Sequence, residues 1–136
     1  MSPSSVLISL GSNLGDRRYH LLRAIHALGA VMRVVRVSSI RETAPVAAPP
    51  PPYFNALVAG YTSLSPEELL QALLEIEARL GRVRRGVRNE PRVIDLDLIF
   101  HGGHRARTRT LTLPHPRYRQ REFVMTPLRE LRLEWR

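Results

Sequence analysis

Apolar and polar positions change period along this chain, and the changes mark its elements. Val6 to Leu10 is a short apolar run ended by Gly11-Ser-Asn13, which predicts a buried strand. After Gly15-Asp16 the period lengthens, with Leu21, Leu22, Ile25 and Leu28 at core-facing helical positions and Gly29 as the stop. Val31 to Ile40 is valine-rich and predicts a second strand, and Phe54 to Tyr61 alternates well enough for a third. Ser65-Pro-Glu-Glu68 has the form of a capping box with proline at the first helical position. The helix behind it sets Leu69, Leu73, Ile76 and Leu80 on one face and stops at Gly81. Val93 to Phe100 then alternates by two, with Ile94, Leu96, Leu98 and Phe100 on one face and Asp95 and Asp97 on the other. His101 to Thr110 is polar and basic, a hairpin or surface loop, and a short helix is expected from Pro127.

The order strand, helix, strand, strand, helix, strand predicts an α+β fold of the ferredoxin-like βαββαβ plan. It is an antiparallel sheet with helices packed on one face. A chain of 136 residues fits one domain, spanning 1–136. One connection is unusual. Thr43 to Tyr53 contains four consecutive prolines, a stiff, extended segment without ladder donors. Between two strands of a compact domain it reads as a semi-rigid lid or pocket wall rather than a spacer or an SH3-type ligand.

Charge changes the picture more than overall composition does. The net charge is +9, and all 21 basic residues are arginine. Without lysine there is no Schiff-base chemistry and no lysine-dependent P-loop; without cysteine there is no thiolate catalysis or zinc–cysteine site. The positive excess points to an anionic partner, whether nucleotide, nucleic acid or acidic metabolite, or to genomic replacement of lysine by arginine. No apolar run reaches the length of a membrane span, and the N-terminus lacks the charged region of a secretory signal, so a cytoplasmic protein is expected.

The chemistry concentrates in Gly81 to Phe100. Its first half carries five arginines in a turn-rich segment, and its second half aims Asp95 and Asp97 the same way, roughly 6–7 Å apart at the backbone by strand rise. Two carboxylates side by side repel unless a cation joins them. Mg²⁺ fits such a pair and brings substrate phosphates as further ligands, while arginine grips phosphate oxygens two at a time. Together they point to phosphoryl transfer, although either feature alone also fits a solvated strand face or a basic surface. Glu77 lies one turn before a helix end, unfavourably against the dipole, and is either solvated or facing the arginine loop. His115, between prolines, is either structural or part of an anion site with Arg121.

Pro91-Arg-Val-Ile-Asp-Leu-Asp97 resembles the signature of the 6-hydroxymethyl-7,8-dihydropterin pyrophosphokinases of folate synthesis. The resemblance extends from Gly11 to Leu131, through Gly11-Ser-Asn13, Glu42-Thr-Ala-Pro45, Tyr53-Phe-Asn55, Ser65-Pro-Glu-Glu68, Gly81-Arg-Val-Arg84 and Leu113-Pro-His115 with Arg121 and Phe123. It implies transfer of the β,γ-diphosphate of ATP to the pterin hydroxymethyl group, with release of AMP. By the same resemblance Asp95 and Asp97 hold two Mg²⁺ ions, and Arg82 and Arg92 act on the transferring group. Glu77, Arg84, Arg92, Thr112, His115 and Arg121 bind ATP; Thr43, Pro45, Val46, Tyr53, Asn55 and Phe123 bind the pterin. The arginine and proline loops correspond to mobile catalytic lids in the family. The resemblance further implies a monomer acting on small molecules, with no nucleic-acid or membrane partner.

Three positions depart from the pattern. Asn89-Glu90 stands where the family often has an aromatic or a glycine, and Pro116 follows His115 where a tyrosine can serve. The chain also stops at Trp135-Arg136, shorter than typical members, which reduces the elements expected to flank the sheet. The competing readings are a catalytically weak pterin- or nucleotide-binding relative, a metal-dependent phosphohydrolase and a ferredoxin-like RNA-binding module. The sheet lacks the interleaved aromatics of the last, and its two aspartates would repel a phosphate backbone.

Overall fold

The computed structural model describes residues 3–43, 52–82, 91–116, 118 and 121–131. The chain runs β1 (Ser4–Ser12), α1 (Arg17–Leu28), β2 (Arg33–Val37), β3 (Arg41–Thr43), β4 (Tyr53–Thr62), α2 (Pro66–Arg79) and β5 (Asp95–His101). A two-stranded ribbon of β6 (Ala106–Arg107) and β7 (Thr112–Leu113) follows, then α3 (Glu122–Leu131). The main sheet has the order β2-β4-β1-β5, with every neighbouring pair antiparallel and β3 pairing along β4 beyond β2. Each helical crossover therefore skips one strand, α1 passing over β4 and α2 over β1. The α+β plan read from the periodicity is the one the chain adopts.

Local signals account for the helix starts. Asp16 caps α1 by accepting from the Tyr19 N–H at 3.1 Å. The Ser65–Glu68 box is formed in both directions, at 3.1 and 2.8 Å. The core under α1 and α2 collects Val6, Ile8 and Leu10 of β1, Ala56 and Val58 of β4, and Leu96 and Leu98 of β5. From the helices it takes Leu21, Ala24, Leu28, Leu69, Leu73 and Ile76. Leu22, expected in this stripe, is 47% exposed, and Ala24 takes the inward position instead.

The predicted strand from Val31 to Ile40 stops at Val37 as β2, and a separate β3 begins past its expected end, at Arg41. Between them the Ser38 N–H donates to the Leu57 carbonyl and the Ser38 hydroxyl accepts from the Leu57 N–H, at 2.9 and 2.8 Å. A side-chain oxygen thus replaces a ladder carbonyl, and the edge breaks without leaving a buried amide unpaired. Gly60 lets β2 close on β4, since a Cβ there would fall 1.9 Å from the Arg33 carbonyl oxygen.

Two further expectations change. The helix expected from Pro127 starts at Glu122 and takes Pro127 inside it, and it covers the sheet face opposite α1 and α2. Helices therefore lie on both faces. Buried Val124 and Pro127, with Leu128 beside them, form an apolar stripe that outweighs the one backbone donor proline lacks. Phe100 does not share the face of Ile94, Leu96 and Leu98. Ile8 pairs with Leu98 and Leu7 with Phe100, which leaves Ile99 as a bulge. The bulge turns Phe100 to the α3 side, where its ring meets Tyr118 edge-on at 4.8 Å.

Candidate active site

Among the described residues, α3 covers only part of the sheet face toward it. Leu7, Leu57, Ala59 and Ile99 pack there with Val124. Further along the same strands, register places Asn55, Gly11 and Asp95 in one row across β4, β1 and β5, and Leu57, Ser9 and Asp97 in the next. Antiparallel partners point to the same face, so an amide and two carboxylates share one side of the sheet. Tyr53 joins them two residues before Asn55, with its backbone paired to Thr43. Gly11 does not begin a turn, as its sequence context suggested; it lies within β1. A Cβ there would stand 3.1 Å from Asn55 Oδ1 and 3.2 Å from Tyr53 Cδ1, so glycine leaves room for both side chains.

Two arginines converge on Asp95. Arg82 Nη1 donates to Asp95 Oδ1 at 2.9 Å, and Arg92 Nη1 donates to Oδ2 at 3.0 Å. Arg82 Nη1 also donates to Glu77 Oε2 at 2.8 Å, and the same oxygen accepts from the Leu96 N–H at 2.7 Å. Glu77 is therefore buried rather than solvated, and it joins the end of α2 to Arg82 and to β5. Arg92 is anchored through its backbone. Its N–H donates to Asn13 Oδ1 at 2.7 Å, and its carbonyl accepts from the Asn13 N–H at 3.0 Å. Asn13 is fully buried, and sequence reasoning had assigned it only to a loop. A polar residue just past a buried strand, with Asp16 rather than Asn13 capping the helix that follows, was the available signal. Arg92 Nε is buried without a hydrogen-bond partner among the described residues.

Asp97 is held differently. Burial first, then the neighbouring Asp95 charge, pushes its carboxyl up to about 7, against the pull of Arg121 and Arg92. Arg121 thus lies within electrostatic reach of the pair. Between the ordinary 3.8 and about 7, the unfolded chain releases a proton that the folded chain keeps. Folding of the ligand-free protein therefore weakens as pH rises through that window. Asp97→Asn is expected to raise Tm by roughly 3–8 °C at about pH 8, with the gain fading toward about pH 4. Thermal melts of both proteins across that range check the sign.

His115 reaches the same neighbourhood because its N–H donates to the Ile99 carbonyl at 2.9 Å, after a cis Leu113–Pro114 bond. Its Nδ1 lies 2.8 Å from the Pro116 carbonyl, a contact that requires the proton on Nδ1. Burial lowers its pKa, and the Arg121 charge acts in the same direction. Burial also raises the Tyr53 phenol and so favours its neutral form. Thr112 sits half-buried on the ribbon, paired with Arg107, and β7 packs beside β5. Phe123 falls in the first turn of α3. Pro45, Val46 and Arg84 lie outside the described residues, as do Asn89 and Glu90, the four-proline run except Pro52, and most of the arginine loop.

The donor set suits a hard cation carried in by phosphates. Asp95 and Asp97 offer only oxygen, and no group of three or more acidic, histidine or cysteine ligands occurs among the described residues. The remaining coordination positions of a Mg²⁺ ion would fall to water and substrate oxygens, the usual division for that ion.

Comparison with known proteins gives the site its context. The family profile described as 7,8-dihydro-6-hydroxymethylpterin-pyrophosphokinase (HPPK) matches residues 7–133. The 2-amino-4-hydroxy-6-hydroxymethyldihydropteridine pyrophosphokinase of Bacillus subtilis (strain 168) is 44% identical over 127 residues, 91% of this chain and 75% of that protein. The mitochondrial folate synthesis bifunctional protein of Pisum sativum is 43% identical over 128 residues, 93% of this chain. The chain spans a quarter of the length of that pea protein. A crystal structure of an HPPK-DHPS in complex with substrates superposes on the whole chain with a TM-score of 0.76, at 12% identity and over 41% of its own length. With the family profile covering nearly the entire sequence, including Gly11, Asn55, Asp95 and Asp97, this chain belongs to the 7,8-dihydro-6-hydroxymethylpterin-pyrophosphokinase family.

Proposed function

We propose that this protein transfers the β,γ-diphosphoryl group of ATP to the hydroxymethyl oxygen of 6-hydroxymethyl-7,8-dihydropterin, releasing AMP. The observation that carries this reading is the row Asn55–Gly11–Asp95, which sets a heterocycle-reading amide and a carboxylate on the sheet face that also carries Asp97 in the next row. Asn55 both donates and accepts, as the edge of a pterin requires. Tyr53, with Thr43, Pro45, Val46 and Phe123, completes the pterin slot. Two Mg²⁺ ions on Asp95 and Asp97 would hold the ATP phosphates and lower the cost of deprotonating the pterin hydroxyl. The hydroxyl oxygen bonds to the β-phosphorus as the bridge to the α-phosphorus breaks. The electron pair leaves with AMP, and the hydroxyl proton passes to solvent.

The arginines have a defined part in this reading. Arg82 and Arg92 neutralise Asp95 in the ligand-free protein and turn to the transferring phosphates when ATP arrives. The Nε of Arg92, without a hydrogen-bond partner among the described residues, supports this, because a phosphate oxygen would satisfy it. Arg84, Thr112, His115 and Arg121 hold the nucleotide, and Glu77 acts on it by orienting Arg82. The reading includes a monomeric, cytoplasmic enzyme, testable by sedimentation and cell fractionation. No helix among the described residues is long and apolar enough to cross a membrane. Incubation with ATP, Mg²⁺ and the pterin is expected to yield AMP and the pterin diphosphate in equal amounts. ADP as the nucleotide product would replace this assignment with simple phosphoryl transfer.

A further inference from the structure

Arg17, at the start of α1, makes three contacts that converge on one stretch of the sheet. Its Nη1 donates to the Pro52 carbonyl at 2.8 Å, and its Nη2 pairs with Glu42 at 3.2 Å. Its guanidinium carbon also stands 3.9 Å from the centre of the Phe54 ring. Glu42 and Phe54 are register partners across β3 and β4, and Pro52 is the residue before β4. Phe54 packs toward the α1 and α2 core, whereas Tyr53 and Asn55, on either side of it, point to the carboxylate face. One side chain thus holds the back of the start of β4, whose front carries Asn55.

We propose that Arg17 is a positioning residue for the pterin slot: it pins the start of β4 to α1 and thereby fixes Tyr53 and Asn55 beside Gly11. The inference rests on the pterin reading of Asn55 given above, but the clamp itself does not. An arginine is needed for all three contacts at once. Its planar fork can donate to a carbonyl and a carboxylate while its face lies on a ring, and an ammonium cannot do all three. The Glu42 side chain is 55% exposed, so the ion pair is the least of the three contacts. The carbonyl and ring contacts carry the clamp. None of these three contacts involves Asp95, Arg82 or Arg92.

The test compares Arg17→Gln, Arg17→Lys and Glu42→Gln in the full chain. Arg17→Gln is expected to raise the pterin KM about tenfold, the scale of one lost charge-assisted hydrogen bond, while kcat and the ATP KM stay within about threefold. Arg17→Lys should recover little of this, and Glu42→Gln should remain near wild type. Amide exchange at Tyr53, Phe54 and Asn55 should quicken about tenfold in Arg17→Gln, while exchange in α2 stays unchanged. Equal rises in both KM values, or full rescue by lysine, would overturn the positioning role. If the wild-type protein bound no pterin, the pterin reading of the site would fall together with the substrate half of this inference. Exchange rates would then still decide the clamp, and unchanged rates at those three amides in Arg17→Gln would sink it.

Discussion

Asp97→Ala is expected to slow diphosphoryl transfer, measured in a single turnover at saturating ATP and Mg²⁺, by about a thousandfold or more. The magnitude follows from what the residue supports. A metal ion acting on phosphoryl oxygens contributes several kcal/mol of transition-state stabilisation, and each ~1.36 kcal/mol is a factor of ten in rate. Asp97 is suited to that task and poorly suited to any structural one. It shares a row with Ser9 and Leu57 on the face that α3 partly covers, and burial beside Asp95 has already lifted its carboxyl to about 7. Its ionised form is therefore disfavoured in the ligand-free protein, and a bound cation would stabilise it. The alanine variant should keep a Tm at or above the wild-type value, because removing the carboxylate also removes its repulsion with Asp95. A folded Asp97→Ala protein that turns over at a near-normal rate would take this residue out of the metal site. Raising Mg²⁺ should restore little, since a weakened ligand set can be saturated but a missing ligand cannot be replaced in position.

How much of this was legible in the sequence depended on how far each signal reached. The Ser65–Glu68 box and the α2 stripe are local, and both form as read. The carboxylate pair was legible for the same reason, since a period of two is a property of one strand. Phe100 defeated the same rule because a bulge depends on the partner strand, and nothing in Leu98-Ile99-Phe100 announces that Leu7 and Ile8 skip a residue there. Gly11 looked like turn punctuation. Its reason lies in Tyr53 and Asn55, which reach its empty side only after β1 and β4 have paired. Glu77 looked badly placed at a helix end when judged by the dipole alone. It is stabilised by the Leu96 N–H, 19 residues further on, and by Arg82, so its partners exist only once β5 has docked. Arg17 passed unnoticed as one of many arginines in a strongly basic chain.

That basic chain makes the separation of arginines by role the most exacting prediction. Arg92 is held from two directions, its backbone by Asn13 and its Nη1 by Asp95, while its Nε is buried without a hydrogen-bond partner among the described residues. Burial disfavours its charged form, but the charge and hydrogen bond of Asp95 outweigh this, and its net pKa is raised, so it stays cationic. If it grips the transferring diphosphoryl group, its contacts strengthen as charge redistributes in the transition state. Arg92→Ala is then expected to lower the chemical step by about 10²–10³, the range seen when one preorganised donor is lost. ATP affinity should fall less, because Arg82 still faces the same carboxylate. Arg92→Lys should recover only part, since a point charge cannot make a two-pronged contact. Arg105, Arg107 and Arg109 are all exposed, on the ribbon and its flanks. Replacing all three by glutamine should leave single-turnover rates within a few-fold and alter mainly solubility and salt dependence. A triple variant slower than Arg92→Ala would mean that the grip on phosphate lies on the ribbon rather than beside Asp95.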